Sequence, residues 1–308
     1  MKRCEVPSAC ANVKTFIICN PGAGGVGDRE TIHLELRRFG EASINFTQHP
    51  GDAIKLARAA AERGCELVIA AGGDGTLNEV INGVAPYADR LQVGLIPLGT
   101  GNDFAKMLDL PTDLGDCVDM LREGHVRPVD LVRVTSDHVR YFVNVSAGGF
   151  SGTVDEKMTA EIKQNWGPLA YLRCAAEALR ELRAYNAEIT LDDATTLSLK
   201  VYNIVIANGR FVAGGTVIAP DASIDDGLLD VIIIPENPAS DLALVAAQIA
   251  VGRHLTSGGV VFRRAAKVAV KSVPGIHFNV DGELIGNEPA VFEVMPRMLQ
   301  VLAGSKKT

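Results

Sequence analysis

The stretch Leu67-Val-Ile-Ala-Ala-Gly-Gly-Asp-Gly-Thr-Leu-Asn-Glu-Val-Ile-Asn-Gly83 sets the architecture of the chain. Leu67 to Ala71 has the continuous apolar texture of a buried strand, broken at Gly72 and Gly73 and followed by a helix that the spacing predicts from about Thr76. Thr76 and Glu79 stand three apart, the spacing of a capping box at that helix start. The glycines let backbone approach a ligand closely, and exposed amides at a helix start favour anions, so the turn is a candidate phosphate cradle. Asp74 is the odd residue. A carboxylate beside phosphate repels it unless Mg2+ bridges the two or the acid serves the chemistry. An ordinary Gly-rich turn of an α/β sheet is the competing reading of this stretch taken alone.

Working outward, Val13 to Cys19 is a short apolar strand leading into Asn20-Pro-Gly-Ala-Gly-Gly-Val-Gly27 and a helix from Arg29 to Phe39. Ile44 to Thr47 reads as a second strand. Asp52 to Arg63 reads as a helix whose buried side is Ile54, Leu56, Ala57, Ala60 and Ala61. Beyond the central element, Leu91 to Pro97 is a strand that runs into Leu98-Gly-Thr-Gly-Asn-Asp103 and a helix from Phe104 to Leu108. Asp116 to Glu123 is the last helix of this unit. Strand and helix alternation implies a parallel sheet covered on both faces, with ligands at the carboxyl ends of its strands. All three Gly-rich loops follow strands and are expected to gather there as one site.

From Val129 the texture becomes strand-rich: Val129 to Thr135, Tyr141 to Val145, Ala187 to Leu191, Leu197 to Ala207 and Leu228 to Ile234. Further strands are expected at Val260 to Phe262, Lys267 to Val270, His277 to Val280, Ala290 to Val294 and Met298 to Leu302. Pro168 to Tyr185 has the pattern of a long amphipathic helix packed on a sheet, and Asp241 to Val251 that of a second helix. The expected division is an α/β domain over 1–128, completed by 294–308, and a β-rich domain over 129–293.

Composition narrows the function classes. The chain has 308 residues, 47% of them hydrophobic, which excludes general disorder. Lys+Arg 30 against Asp+Glu 37 gives a net charge of -7 with no dense basic run, so no nucleic-acid partner is expected. Cys4, Cys10, Cys19, Cys65, Cys117 and Cys174 are scattered without a CxxC pair, the pattern of reduced thiols in a cytosolic protein. The residues after Lys2 and Arg3 lack the apolar core of an export signal, and no uncharged apolar run reaches the roughly 20 residues that span a bilayer.

Gly22-Ala-Gly-Gly-Val-Gly27 satisfies the dinucleotide fingerprint G-x-G-x-x-G. The acid that motif needs at the end of the next strand is missing, since Thr47-Gln48-His49 stands there and Asp52 follows a turn. No Gly-Lys-Ser/Thr completes a Walker A loop, and the six histidines form no i,i+4 pair or cluster.

The combination of loops is more specific than any one of them. Asn20-Pro-Gly-Ala-Gly24, Gly72-Gly-Asp-Gly-Thr76, Pro97-Leu-Gly-Thr-Gly-Asn-Asp103 and Asp281-Gly-Glu283, in this order, resemble the diacylglycerol kinase catalytic family, especially its soluble bacterial lipid kinases. The likeness continues in Thr47 with Gly51-Asp-Ala53, in Asn208-Gly209 with Gly214-Gly215, and in Asp226-Gly-Leu-Leu-Asp230.

That resemblance implies an N-terminal α/β nucleotide-binding domain, a C-terminal β-sandwich, and ATP in the cleft between them. It assigns the nucleotide site to Asn20, Pro21, Gly22, Ala23, Gly24, Thr47, Gly72, Gly73, Asp74, Gly75, Thr76, Leu77, Asn78, Glu79, Thr100, Asn102 and Asp103. Glu283 matches the catalytic base, with Asp281 and Asp74 as the other catalytic acids. A structural Mg2+ is implied at Asp226 with the backbone oxygens of Ser223 and Leu228. Asp225-Asp226-Gly227 also has the form of a plain hairpin turn, and Asn102 or Asp103 that of a helix cap. The expected activity is transfer of the γ-phosphate of MgATP to a lipid hydroxyl, foremost that of diacylglycerol. Other lipids and NAD are alternative acceptors, and a nucleotide-sensing binding protein is the non-enzyme alternative. The expected setting is cytoplasmic with transient membrane contact, and a homo-oligomer is left open. Arg173, Arg180, Arg183, Arg263 and Arg264 are candidates for that contact, and solvated faces explain them equally well.

Overall fold

The computed structural model describes residues 14–24, 29–150, 182–256, 258–280, 283–285 and 289–304. Residues 168–181 of the helix expected over Pro168 to Tyr185, Gly25 and Gly27 of the first loop, and Asp281 and Gly282 lie outside the described residues; the expected last turn is not helical, since residues 182–184 are irregular and Tyr185 begins a strand. The chain divides into two compact units. One comprises Met1–Leu131, Ala213–Gly215 and Pro296–Thr308, the other Val132–Val212 and Thr216–Met295.

The first unit is α/β. Its strands β1 (Thr15–Cys19), β2 (Ser43–Phe46), β3 (Leu67–Gly72) and β4 (Gln92–Pro97) are all parallel, in the order β2-β1-β3-β4. Every residue of β1 and β3 is buried, as an interior parallel strand requires. Helices α1 (Arg29–Leu36), α2 (Asp52–Glu62), α3 (Asp74–Val84), α4 (Asp103–Met107) and α5 (Leu114–Glu123) alternate with the strands. The buried line of α2 is Ala53, Ala57 and Ala60, with Ile54 and Leu56 only partly covered. Small residues are needed there because α3 comes so near: a Cβ on Gly83 would stand 2.5 Å from the Ile54 carbonyl oxygen.

The second unit is an antiparallel β-sandwich. β6 (Val139–Phe142) and β7 (Val145–Gly149) are separate strands where one was expected, because Val143 and Asn144 turn out of the ladder and the Asn144 carbonyl accepts the amides of Asn208 and Gly209. β8 (Tyr185–Leu191) pairs with the first half of β9 (Thr195–Ala207), whose second half lies between β7 and β12 (Leu229–Pro235). β10 (Phe211–Val212) and β11 (Thr216–Val217) form a short hairpin. Helix α6 (Ala239–Ala250) precedes β13 (Val261–Ala265), β14 (Lys267–Val273), β15 (Phe278–Val280) and β16 (Glu283–Ile285).

Phe142, Phe278 and Phe292 meet edge to face in the larger core of this unit, with Phe278 and Phe292 centroids 5.0 Å apart. A second core joins Val145, Val205 and Ile232 to Val245 of α6. The two strands expected near the C-terminus are a single element, β17 (Ala290–Leu302). Its break at Pro296 is local: Arg297 adopts φ 52°, and its amide donates to Asp130 Oδ1 at 2.7 Å. β5 (Val126–Thr135) starts three residues before the expected Val129.

Candidate active site

The carboxyl ends of β1, β2, β3 and β4 carry the loops singled out by sequence, and the structure joins them in the first unit. Asn20 is the hub. Its amide donates to the Ala71 carbonyl at 2.9 Å, its Nδ2 to Thr76 Oγ1 at 3.3 Å, and its Oδ1 accepts the Gly22 amide at 3.0 Å. The loop after β1 is thus fixed to the turn after β3. The Thr47 amide donates to the Cys19 carbonyl at 2.9 Å, placing Thr47 beside that loop. Asp52 closes the next turn by accepting the amides of Gln48 and His49, and those bonds hold its carboxyl below the usual range.

The capping box expected from Thr76 and Glu79 does not form. α3 begins at Asp74 with Gly73 as its cap residue, so Glu79 stands well inside the helix, out of reach of its start. Glu79 instead serves the neighbouring helix: Oε1 accepts the Gly51 amide and Oε2 the Ala53 amide, each at 3.0 Å. One carboxylate at the start of α2 therefore satisfies two amides there and ties the loop after β2 to α3.

The loop after β4 is locked by contact between glycines. The Leu98 amide donates to the Gly72 carbonyl at 2.9 Å, and a Cβ on Gly99 would lie 2.6 Å from Gly73 Cα, so Gly99 admits no side chain there. Asn102 takes φ 49° and folds back on Gly99, accepting its amide at 3.1 Å and donating to its carbonyl at 2.6 Å. Neither Asn102 nor Asp103 caps α4 from its own turn. Asp74 does so from the turn after β3, with Oδ1 accepting the Phe104 amide at 3.2 Å. Burial raises the pKa of Asp74, opposed by backbone amides of α4, while nearby Asp103 adds to the rise.

Asp103 is 5% exposed and fully engaged, with Oδ2 accepting the Gly214 amide at 2.9 Å and Oδ1 the Lys106 ammonium at 3.0 Å. Lys106 also donates to the Gly101 carbonyl at 2.9 Å, and so braces the Thr100 loop. Sequence reasoning missed Lys106; its i,i+3 spacing from Asp103 was the available signal. Leu77 and Asn78 are buried at 3% and 4%, so of the positions assigned to the nucleotide their side chains serve the interior. Pro21, Gly22, Gly24, Gly75 and Thr100 are exposed, and a Cβ on Gly24 or Gly75 would meet nothing within 4 Å. Bare backbone borders open space there, as an anion cradle requires.

In the second unit Glu283 opens β16, its backbone opposite Val280 of β15; Asp281 lies outside the described residues. Ser223 Oγ donates to Asp225 Oδ1 at 2.6 Å, and Asp226 Oδ1 accepts the Leu228 amide at 3.1 Å.

Residues 14–134 match the family described as diacylglycerol kinase catalytic domain, and residues 144–303 the family described as YegS C-terminal NAD kinase beta sandwich-like domain. The diacylglycerol kinase of Staphylococcus saprophyticus subsp. saprophyticus is 34% identical over 289 residues, covering 92% of this chain and 93% of that protein. The chain belongs to the diacylglycerol kinase catalytic-domain family. It is an enzyme of the lipid-kinase class. The diacylglycerol kinase of Bacillus subtilis (strain 168) is 32% identical over 297 residues, covering 94% of this chain and 96% of that protein. A solved structure from Bacillus anthracis str. Sterne superposes with a TM-score of 0.80 at 25% identity, over 94% of this chain and 97% of that one. That structure thus shares the fold of this chain. Among the described residues no helix is long and apolar enough to cross a membrane.

Proposed function

We propose that the chain transfers the γ-phosphate of MgATP to the free hydroxyl of diacylglycerol, giving phosphatidic acid and ADP. The observation that carries this reading is the locking of the loops after β1, β3 and β4 by Asn20, Asp74 and close glycine contacts beside open space at Gly24 and Gly75. Phosphoryl transfer requires little covalent chemistry of a protein. It needs amides and cations around the phosphates, a placed hydroxyl, and a group to accept its proton.

The glycine amides would hold the phosphates. Asp74 is the carboxylate of that corner, and its burial beside Asp103 favours a counter-cation, so it would hold Mg2+, which neutralises charge on the phosphates when bound. Glu283 would take the acceptor's proton as the hydroxyl oxygen bonds to phosphorus and the β–γ bridging oxygen leaves with ADP, while Asp281 would position it.

The lipid reading has support in α6. From Leu242 to Gly252 no residue is charged, Leu244 is 56% and Val251 67% exposed, and Arg253 follows. An apolar face ending in a cation suits peripheral contact with an anionic bilayer from the cytoplasmic side. The sandwich match named for NAD kinase makes NAD the acceptor to exclude. Incubation with labelled ATP, Mg2+ and a panel of dispersed lipids plus NAD tests the reading. Label is expected in phosphatidic acid; label in NAD with none in any lipid refutes it.

A further inference from the structure

At the turn entering β12, the family likeness and this chain's own side chains disagree. The likeness implies Mg2+ on Asp226, yet both carboxylate oxygens of Asp226 have protein donors. Oδ1 accepts the Leu228 amide, and Oδ2 accepts the Arg264 guanidinium. Arg264 stands on β13 directly opposite Asp230 of β12, and its Nε donates to Asp230 Oδ1 at 2.8 Å.

Asp230 is 1% exposed, and its Oδ2 is buried without a partner among the described residues. Asp226 and Asp221 both act on it as like charges. Arg264 is therefore the cation that makes this acidic corner tolerable. Its planar fork reaches the turn through Asp226 and the sheet through Asp230 at once. Mg2+ demands a near-octahedral oxygen shell at about 2.0–2.1 Å, and a guanidinium on the same carboxylate oxygen competes for that place and repels the ion. The residues present do not fit the implied ion.

We infer that Arg264 is the built-in cation of this turn, positioning Asp226 and Asp230 where the likeness implies a structural Mg2+. The second unit then folds without divalent metal, and the Mg2+ demand of the reaction arises with the nucleotide alone.

The test uses the full chain, chelated and desalted, without nucleotide. Metal analysis is expected to find no stoichiometric Mg2+, and the melting temperature to be the same in chelator and in millimolar Mg2+. A bound ion at a hundredfold its Kd would raise it by roughly 5–10 °C. Stoichiometric Mg2+, or such a rise, overturns the inference whatever the variants do. Arg264→Gln leaves the buried Asp230 carboxylate unpaired and should lower the melting temperature by at least about 5 °C. That variant should also melt higher in Mg2+, because the vacated corner then attracts a divalent ion, whereas Arg264→Lys should remain closer to the parent. A glutamine variant that melts with the parent means that packing alone holds the turn, and refutes the positioning role.

Discussion

Glu79→Ala tests whether the loops after β2 and β3 act as one body. The carboxylate accepts the amides of Gly51 and Ala53, both at 3.0 Å and partly buried. Removing it strands two donors at the start of α2, and a hydrogen bond to a charged group contributes about 1.5–3 kcal/mol. Water reaches part of this position and recovers some of that, so the expected loss is about 2–4 kcal/mol, or roughly 5–15 °C in the melting temperature of a unit this size. Glu79→Gln keeps one acceptor oxygen and should fall between. Glu79→Ala also frees the loop after β2, on which Thr47 stands, from α3, so the Michaelis constant for ATP should rise about tenfold, equivalent to 1.4 kcal/mol. Thermal unfolding and steady-state kinetics on the same preparations provide both numbers. An alanine variant with an unchanged melting temperature would show that the pairing does not hold α2; an unchanged Michaelis constant alongside a lowered melting temperature would separate stability from the nucleotide.

Glu283→Gln should cut kcat by about two to four orders of magnitude and leave ATP affinity intact, whereas Asp281→Asn should also disturb the Mg2+ dependence; normal turnover of Glu283→Gln would pass the base to another acid. Asp74→Asn should abolish turnover while the fold survives. In the nucleotide-free parent, burial raises the Asp74 pKa above its unfolded value. Since the folded pKa lies above the unfolded one, this group's stabilising contribution shrinks as pH rises through that interval, and the asparagine variant should lose that slope. Burial pushes the Cys19 thiol up to about 11 and Cys117 up to about 12, so both should resist thiol reagents in the native protein at pH 8 and react only on unfolding, as peptide mass spectrometry would show.

The first unit was legible because its signals are local. A run such as Leu67 to Ala71 is apolar at every position only if the strand is buried on both faces, and glycines at 72 and 73 end it. The kinase family was legible from the order of four loops, since phosphate cradles require glycine at fixed places after strands. The sequence alone therefore determined a parallel α/β unit, a strand-rich remainder and the lipid-kinase class.

Tertiary structure decided which partner each polar group takes. Thr76 and Glu79 have capping-box spacing, yet Glu79 caps α2 because α3 starts two residues earlier than that spacing suggested and α2 lies against it. Asp74 caps α4 across 30 residues, Lys106 braces Gly101, and Arg264 reaches Asp226 across 38. A hydrogen bond is directional and short, so its partner is fixed by where strands and helices are brought together, and residue spacing along the chain carries no record of that.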